Sequence, residues 1–118
     1  MRDLYEKGVA VPKWTLDQAV GLVRSLHEEV VKNGCTLALG GSCLHRGFSE
    51  KDVDIIIHPL ECKETALSDF DFYAVKDCLT ELGLTYIRDA HIAEYSERNV
   101  EIWYNKEGKR IDIFFMRA

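Results

Sequence analysis

Two short segments with strict two-residue alternation constrain the fold of this chain more than any other feature. Residues 52–58 have the sequence DVDIIIH, and residues 110–115 have the sequence RIDIFF. Because successive side chains of a β-strand point to opposite faces, each segment predicts a strand with one apolar face and one aspartate-bearing face. The apolar faces comprise Val53, Ile55, Ile57, Ile111, Ile113 and Phe115. Such faces require a covering layer, so we expect a sheet that packs against helices on one side.

Two segments with helical periodicity supply that layer. Thr15 and Gln18 form a capping-box pattern at the start of the first helix, and Gly34 is expected to end it near Lys32. A second helix is predicted between residues 68 and 82, where apolar residues again recur at helical spacing. Both helices therefore have one apolar stripe with which to cover the sheet.

Shorter apolar segments complete the predicted sheet. The strands are expected at 36–39, 52–58, 84–88, 100–104 and 110–115. The last two form a hairpin whose turn contains Gly108. The basic cluster Lys106–Arg110 at its tip is expected to be solvated, with a phosphate contact as the alternative. The fold class is therefore α+β (α/β), a mixed sheet with two main helices on one face and no obvious cover on the other. We expect residues 1–118 to form a single domain.

The composition excludes several functional classes. The chain has 118 residues, of which 47% are hydrophobic, and a formal net charge of −5, which does not suit a stand-alone nucleic-acid binder. It has no apolar run of membrane-spanning length and no secretory leader pattern, which predicts a cytoplasmic protein without membrane contact. The four cysteines lack a Cys-x-x-Cys pair, so we expect free thiols, with disulfides as the alternative.

Three aspartates are expected to meet on the uncovered face of the sheet. Asp52 and Asp54 lie on one predicted strand and Asp112 on another, so they share a face if these strands are neighbours. Aspartate is uncommon in strands, and three carboxylates at close range repel one another unless a cation lies between them. Mg²⁺ is the expected cation and Mn²⁺ the alternative, because carboxylate oxygens suit both ions.

A glycine-rich turn precedes the first aspartate-bearing strand. Gly40 and Gly41 allow backbone amides to approach a phosphate without interference from a Cβ atom. Ser42 adds a hydroxyl at the start of a predicted helical turn, where backbone N–H groups favour anions. Together with the aspartates, this turn predicts a site for a metal ion and a nucleotide.

The segment GGSCLHRGFSEKDVDIIIHP, followed later by KRIDIFF, resembles the signature of the DNA polymerase beta-like nucleotidyltransferase superfamily. That signature combines a Gly-Gly or Gly-Ser turn, an Asp-x-Asp strand and a third carboxylate on a later strand. The local similarity is greatest to the palm of the family X polymerases, and it extends over residues 34–116. The resemblance implies a palm-like fold.

The resemblance also implies roles for the aspartates and for the turn. Asp52 and Asp54 would bind both metal ions, and Asp112 would bind the catalytic metal and orient or deprotonate the acceptor hydroxyl. Gly41 and Ser42 would hold the β- and γ-phosphates of the nucleotide.

One departure from the family pattern lies in the turn. Where family members often have an arginine that contacts the triphosphate, this chain has His45, with Arg46 one residue beyond. Both are therefore candidate nucleotide-binding residues, together with Gly40.

The implied activity is transfer of an NMP from an NTP to a hydroxyl acceptor with release of pyrophosphate. The acceptor would be a protein, a small molecule or an RNA end. Polymerases of the family add DNA-binding and base-binding domains to the palm, so this chain is more similar to the minimal nucleotidyltransferases of prokaryotes, some of which are antitoxins that adenylylate a toxin.

The alternative is a catalytically inactive palm that serves as a nucleotide-binding or antitoxin-like interaction module. In the catalytic interpretation, we expect a homo-oligomer or a protein partner to complete the substrate site. A nucleic-acid partner is less favoured because the chain is acidic.

Overall fold

The computed structural model describes residues 13–59, 67–90 and 99–116, which form a mixed sheet, a short two-stranded ladder and three helices. The helices are α1 (Leu16–Lys32), α2 (Gly41–Arg46) and α3 (Asp69–Glu81). The strands are β1 (Trp14–Thr15), β2 (Cys35–Gly40), β3 (Phe48–Ser49), β4 (Asp52–Pro59), β5 (Thr85–Asp89), β6 (Asn99–Tyr104) and β7 (Arg110–Phe115). Strands β1 and β3 pair with each other, and the other five strands form the mixed sheet.

The two strands with alternating sequences, β4 and β7, lie next to each other in the sheet, whose order is β2-β4-β7-β6-β5. They run parallel, whereas the other neighbouring pairs are antiparallel. The register places Val53 beside Ile111 and Ile55 beside Ile113, so the apolar residues of both strands share one face. All six residues predicted for that face are at most 1% exposed. The predicted α+β fold with a mixed sheet is therefore confirmed.

Helices α1 and α3 cover this apolar face. The Thr15 side chain accepts a hydrogen bond from the Gln18 backbone N–H, and the Gln18 side chain accepts one from the Thr15 N–H, so the predicted capping box is present. Helix α3 begins after Ser68, whose hydroxyl accepts a hydrogen bond from the Asp71 N–H. The buried helical residues are Ala19, Leu26 and Val30 in α1, and Phe72, Val75, Cys78 and Leu79 in α3.

The opposite face of the sheet is more covered than the sequence indicated. Val100, Ile102 and Tyr104 share this face with the aspartates, as the pairing of β6 with β7 requires, and each is at most 4% exposed. The charged residue of β6, Glu101, lies instead on the helix face, where Lys76 Nζ is 3.0 Å from its Oε2. Because β6 is buried on both faces, alternation could not predict which face it turns towards the helices.

Two further expectations concern the cysteines and the membrane. Cys35, Cys43 and Cys78 are buried free thiols, as predicted, whereas Cys62 lies outside the described residues. Of the helices in the described part of the chain, none is both long and apolar enough to cross a membrane.

Candidate active site

Asp52, Asp54 and Asp112 meet on one face of the sheet. Asp54 on β4 is the register partner of Asp112 on β7, and Asp52 lies two residues before Asp54 on the same face. Each residue offers one carboxylate oxygen, and these oxygens all lie within 4.8 Å of one another. The predicted convergence of the three aspartates is therefore confirmed, and it follows from the parallel pairing of β4 with β7.

Arg110 provides a counter-charge for this cluster. Its Nε lies 2.7 Å from Asp112 Oδ1, and its Nη2 lies 3.3 Å from Asp112 Oδ2. The same Nε lies 3.9 Å from Asp52 Oδ2, and the arginine side chain is only 12% exposed. The expectation that Arg110 belongs to a solvated hairpin tip is therefore wrong. Its place on β7, opposite Asp52, turns it onto the aspartate face.

Burial and mutual repulsion make these carboxylates hard to ionise. Burial, followed by the charges of Asp112 and Asp54, raises the pKa of Asp52 to about 7. Burial and the charge of Asp112 also raise the pKa of Asp54, although Arg110 and Lys51 oppose this shift. An additional cation at the cluster would favour the ionised carboxylates and would lower both pKa values.

The donor set suits a hard divalent cation. The carboxylates come from two adjacent strands, and one oxygen of each lies within 4.8 Å of the others. Oxygen ligands of one octahedral Mg²⁺ ion lie roughly 3–4 Å apart, so small side-chain movements would close the set around a cation. The single guanidinium of Arg110 carries too little charge to balance three carboxylates. The cluster could therefore hold a metal ion, and its three carboxylates favour an ion that prefers oxygen ligands.

Gly41 lies against Asp54 where β2 turns into α2. Its φ of 70° is a conformation that glycine adopts without steric penalty. A Cβ atom at this position would overlap with Asp54 Oδ2 and would lie 2.9 Å from Asp54 Cγ. At Gly40, by contrast, a Cβ atom would lie 3.8 Å from Ile56 Cδ1, which is an ordinary contact. The close approach of Gly41 to Asp54 is a constraint that the sequence did not reveal.

The other predicted nucleotide-binding residues follow in α2. Ser42 is the second residue of this helix, and His45 and Arg46 are exposed in its last turn. The Arg46 guanidinium lies 4.8 Å from the centroid of the Phe48 ring, and Lys13 Nζ lies 4.4 Å from the same centroid. The cationic groups of Lys13 and Arg46 therefore both lie over the Phe48 ring. A nucleotide-binding role for His45 and Arg46 stays a prediction.

Comparison with known proteins finds similarity in structure but not in sequence. The sequence matches no protein-family model and no curated protein. A solved cytoplasmic RNA terminal U-transferase matches with a TM-score of 0.59 and 13% identity, over 85% of this chain and 28% of that chain. The polymerase core of TRAMP, an RNA surveillance complex, matches with a TM-score of 0.58 and 14% identity, over 86% of this chain and 32% of that chain. This chain thus spans less than one third of the length of either protein.

Similarity at such low identity shows a shared fold, and a shared fold does not by itself establish a shared activity. By their names, the matching proteins are an RNA terminal U-transferase and a polymerase core, and what this chain shares with them is the fold. The chain has the palm-like fold of the DNA polymerase beta-like nucleotidyltransferases, which is the fold that its motifs predicted.

Proposed function

We propose that this chain is a metal-dependent nucleotidyltransferase that moves an NMP from an NTP to a hydroxyl acceptor and releases pyrophosphate. The observation that carries the proposal is the aspartate cluster, whose oxygens lie within 4.8 Å of one another on a palm-like sheet. A purely structural role does not explain three crowded carboxylates, because raising the pKa of Asp52 to about 7 costs stability at neutral pH. Divalent metal ions at the cluster would supply the missing positive charge.

The resemblance to the polymerase beta-like nucleotidyltransferases implies a distinct role for each aspartate. Asp52 and Asp54 would hold the divalent ions from β4, and Asp112 would hold one of them from β7. Bound Mg²⁺ or Mn²⁺ would stabilise the charge of the transferred phosphoryl group and would lower the pKa of the acceptor hydroxyl. Asp112 would orient that hydroxyl and accept its proton, while the acceptor oxygen bonds to the α-phosphorus and the bond to pyrophosphate breaks.

The turn between β2 and α2 is the proposed phosphate contact. Gly40, Gly41 and Ser42 would donate to the phosphates, and His45 and Arg46 would approach them from the last turn of α2. The support for this placement is the contact of Gly41 with Asp54, which puts the turn directly beside the proposed metal ligands. A nucleotide whose metal ions are held by the aspartates would therefore have its phosphates within reach of this turn.

Three classes of acceptor fit this proposal. The structural relatives are, by their names, an RNA terminal U-transferase and the polymerase core of an RNA surveillance complex, which makes an RNA end one candidate. The net charge of −5 favours a protein or small-molecule hydroxyl, because an RNA acceptor is normally held by basic surface. A partner protein with a basic surface would remove that objection.

Release of pyrophosphate distinguishes the proposed transferase from the rival function, which is a catalytically inactive palm that binds nucleotides or a partner. We expect Mg²⁺ or Mn²⁺ to support pyrophosphate release from an NTP when an extract of the native host supplies the acceptor, above the background of extract alone. The Asp54→Asn variant should lose most of this release. The Asp77→Asn variant, which changes a carboxylate on α3 far from the cluster, should retain it. Metal-dependent nucleotide binding without release would favour the inactive module.

A further inference from the structure

A cavity lies on the helix face of the sheet, away from the aspartates. Its volume is about 300 Å³, and it lies between α1 and the turn of the β6–β7 hairpin. Its lining residues are Trp14, Gln18, Gly21, Leu22, Ser25, Asn105, Glu107 and Lys109. Most of these residues are polar, although the helix face elsewhere is packed with apolar side chains.

Lys109 gives this cavity a buried positive charge. The residue is only 8% exposed, so its expected place in a solvated hairpin tip is wrong. Its Nζ donates to Gln18 Oε1 at 2.8 Å and to the Lys13 carbonyl oxygen at 3.2 Å, and it lies 5.2 Å from the centroid of the Trp14 ring. All three partners are neutral. Among residues 13–59, 67–90 and 99–116, no carboxylate lies within ion-pair distance of this ammonium.

A buried ammonium without a counter-ion is costly, because neutral hydrogen bonds replace only part of its lost hydration. Two side-chain amides that line the cavity already use their oxygens as acceptors. Asn105 Oδ1 accepts hydrogen bonds from the N–H groups of Glu107 and Lys109, and Gln18 Oε1 accepts from Lys109 and from the Thr15 N–H. Because both amide oxygens are used in this way, the NH₂ groups of Asn105 and Gln18 are left to donate to a ligand.

We propose that this cavity binds a small anion that carries a carboxylate or phosphate group, with Lys109 as its charge partner and the amides of Gln18 and Asn105 as further donors. The volume of about 300 Å³ suits a small molecule rather than a polymer. The site is independent of the proposed transferase activity, because it lies on the other face of the sheet. Exposed Glu107 at the rim is the one acidic residue among the described residues that line the cavity, and it weakens anion binding.

The two tryptophans provide a built-in reporter and its control. Trp14 lines the cavity, and its indole N–H donates to the Arg110 carbonyl oxygen at 2.8 Å. The Trp103 indole N–H donates to Glu101 Oε1 at 2.9 Å, a contact in which no cavity-lining residue takes part. An anion in the cavity should therefore shift the indole N–H resonance of Trp14 and leave that of Trp103 in place.

Titration of the metal-free protein with inorganic phosphate and, separately, with succinate tests the proposal by NMR. We expect a saturable shift of the Trp14 resonance with at least one of these anions, and the anion that binds more tightly identifies the preferred group. Ser25→Glu adds a negative charge at an exposed cavity position on α1 and should weaken binding about tenfold. Glu107→Gln should strengthen it severalfold.

The variants also separate a binding role of Lys109 from a purely structural one. Lys109→Met should abolish binding, and Ser25→Glu provides the same test without altering the buried lysine if Lys109→Met fails to fold. The proposal is overturned if neither anion shifts the Trp14 resonance, if both tryptophans shift equally, or if binding is unchanged in Ser25→Glu.

Discussion

At the scale of single residues, Asp52 connects the charge of the cluster to the stability of the fold. Its pKa of about 7 in the folded protein lies well above the ordinary value of 3.8. The folded state therefore binds the carboxyl proton of Asp52 more tightly than the unfolded state does. The resulting stabilisation of the folded state is complete at pH values below the ordinary pKa. As the pH rises through the folded pKa, we expect the metal-free protein to lose about 1.4 kcal/mol of unfolding free energy per unit at most.

Urea unfolding of the metal-free protein between these two pKa values measures this loss. Asp52→Asn should flatten the pH dependence and stabilise the protein at alkaline pH, because it removes the repelled charge. Asp77→Asn, on α3, should keep the wild-type pH dependence. Excess Mg²⁺ should restore stability to the wild type at alkaline pH. Identical pH slopes in wild type and Asp52→Asn would show that the cluster does not govern stability.

Gly41 allows a second test at the residue scale, with Gly21 as its matched control. Gly41→Ala should cost about 1–3 kcal/mol, because φ is 70° and the new Cβ would displace Asp54. At Gly21, in α1, a Cβ atom would meet no other atom within 4 Å, so Gly21→Ala should stabilise by up to about 1 kcal/mol. Urea unfolding gives both values, and metal titration should show weaker binding only for Gly41→Ala. Equal stability of the two variants would contradict the close packing of Gly41 against Asp54.

The aspartates were predictable from sequence, whereas their cationic neighbours were only partly so. Alternation within each strand places Asp52, Asp54 and Asp112 opposite the apolar face, and the parallel pairing of β4 with β7, which the sequence leaves as a condition, brings them together. Lys109 is different, because its burial depends on Gln18, which lies 91 residues away along the chain. A run of basic residues in a hairpin turn indicates solvent exposure, and only tertiary structure shows that one of them is enclosed.

At the scale of elements, α3 is joined to β6 by a buried ion pair. Lys76 Nζ lies 3.0 Å from Glu101 Oε2, and the Glu101 side chain is only 4% exposed. Trp103 Nε1 donates to the other carboxylate oxygen at 2.9 Å. Lys76→Met should destabilise the protein by about 3–5 kcal/mol, because it leaves a buried carboxylate without its cation.

The double variant Lys76→Met/Glu101→Gln should recover part of this loss, since glutamine is neutral and still accepts the hydrogen bond of Trp103. Lys32→Met is the matched control, because the side chains of Lys32 and its partner Glu29 are 60% and 44% exposed and such surface pairs contribute little to stability. Chemical denaturation of the wild type and the three variants measures these differences. A double variant no more stable than Lys76→Met would contradict a buried pair.

Sequence periodicity predicted the long elements better than the short ones. The capping box and apolar stripe define α1, and alternation defines β4 and β7, because each pattern extends over several residues. The β1–β3 ladder joins Trp14 to Ser49 and Thr15 to Phe48, and two residues per strand are too few to show a period. The faces of β6 were unpredictable because both are buried. Residues 91–98, within the least interpretable part of the sequence, lie outside the described residues.

At the scale of the whole molecule, we propose that a second copy or another protein completes the substrate pocket. Ile56 and Phe114 lie on the aspartate face, and both are half-buried. The exposed large apolar side chains among the described residues include Phe70, at 81%, and Tyr73, at 59%, one turn apart on α3. Adjacent exposed aromatic residues of this kind are typical of association surfaces. Because α3 covers the face opposite the aspartates, a partner bound there would reach the substrate site around the edge of the sheet.

Light scattering over a range of protein concentrations tests this proposal, with co-purification from the native host as the second measurement. The double variant Phe70→Ser/Tyr73→Ser should reduce association, whereas Arg24→Gln, at an exposed position of α1, should not. Base selectivity should be weak when the partner is absent, because the contacts proposed for this chain are with metal ions and phosphates and not with the base. A strictly monomeric protein that binds nothing in its host, yet transfers one NMP with strong base preference, would refute the proposal.

Transfer of label from an NTP labelled at its α-phosphate tests the central claim most directly. The purified protein would be incubated with each labelled NTP, Mg²⁺ or Mn²⁺, and an extract of the native host, and the labelled product would be identified. We predict metal-dependent labelling of a protein, RNA or small molecule by the wild type and by Asp77→Asn, and almost none by Asp112→Asn. Labelling that is absent with every NTP, or that persists at the wild-type rate in Asp112→Asn, would contradict catalysis by the aspartate cluster.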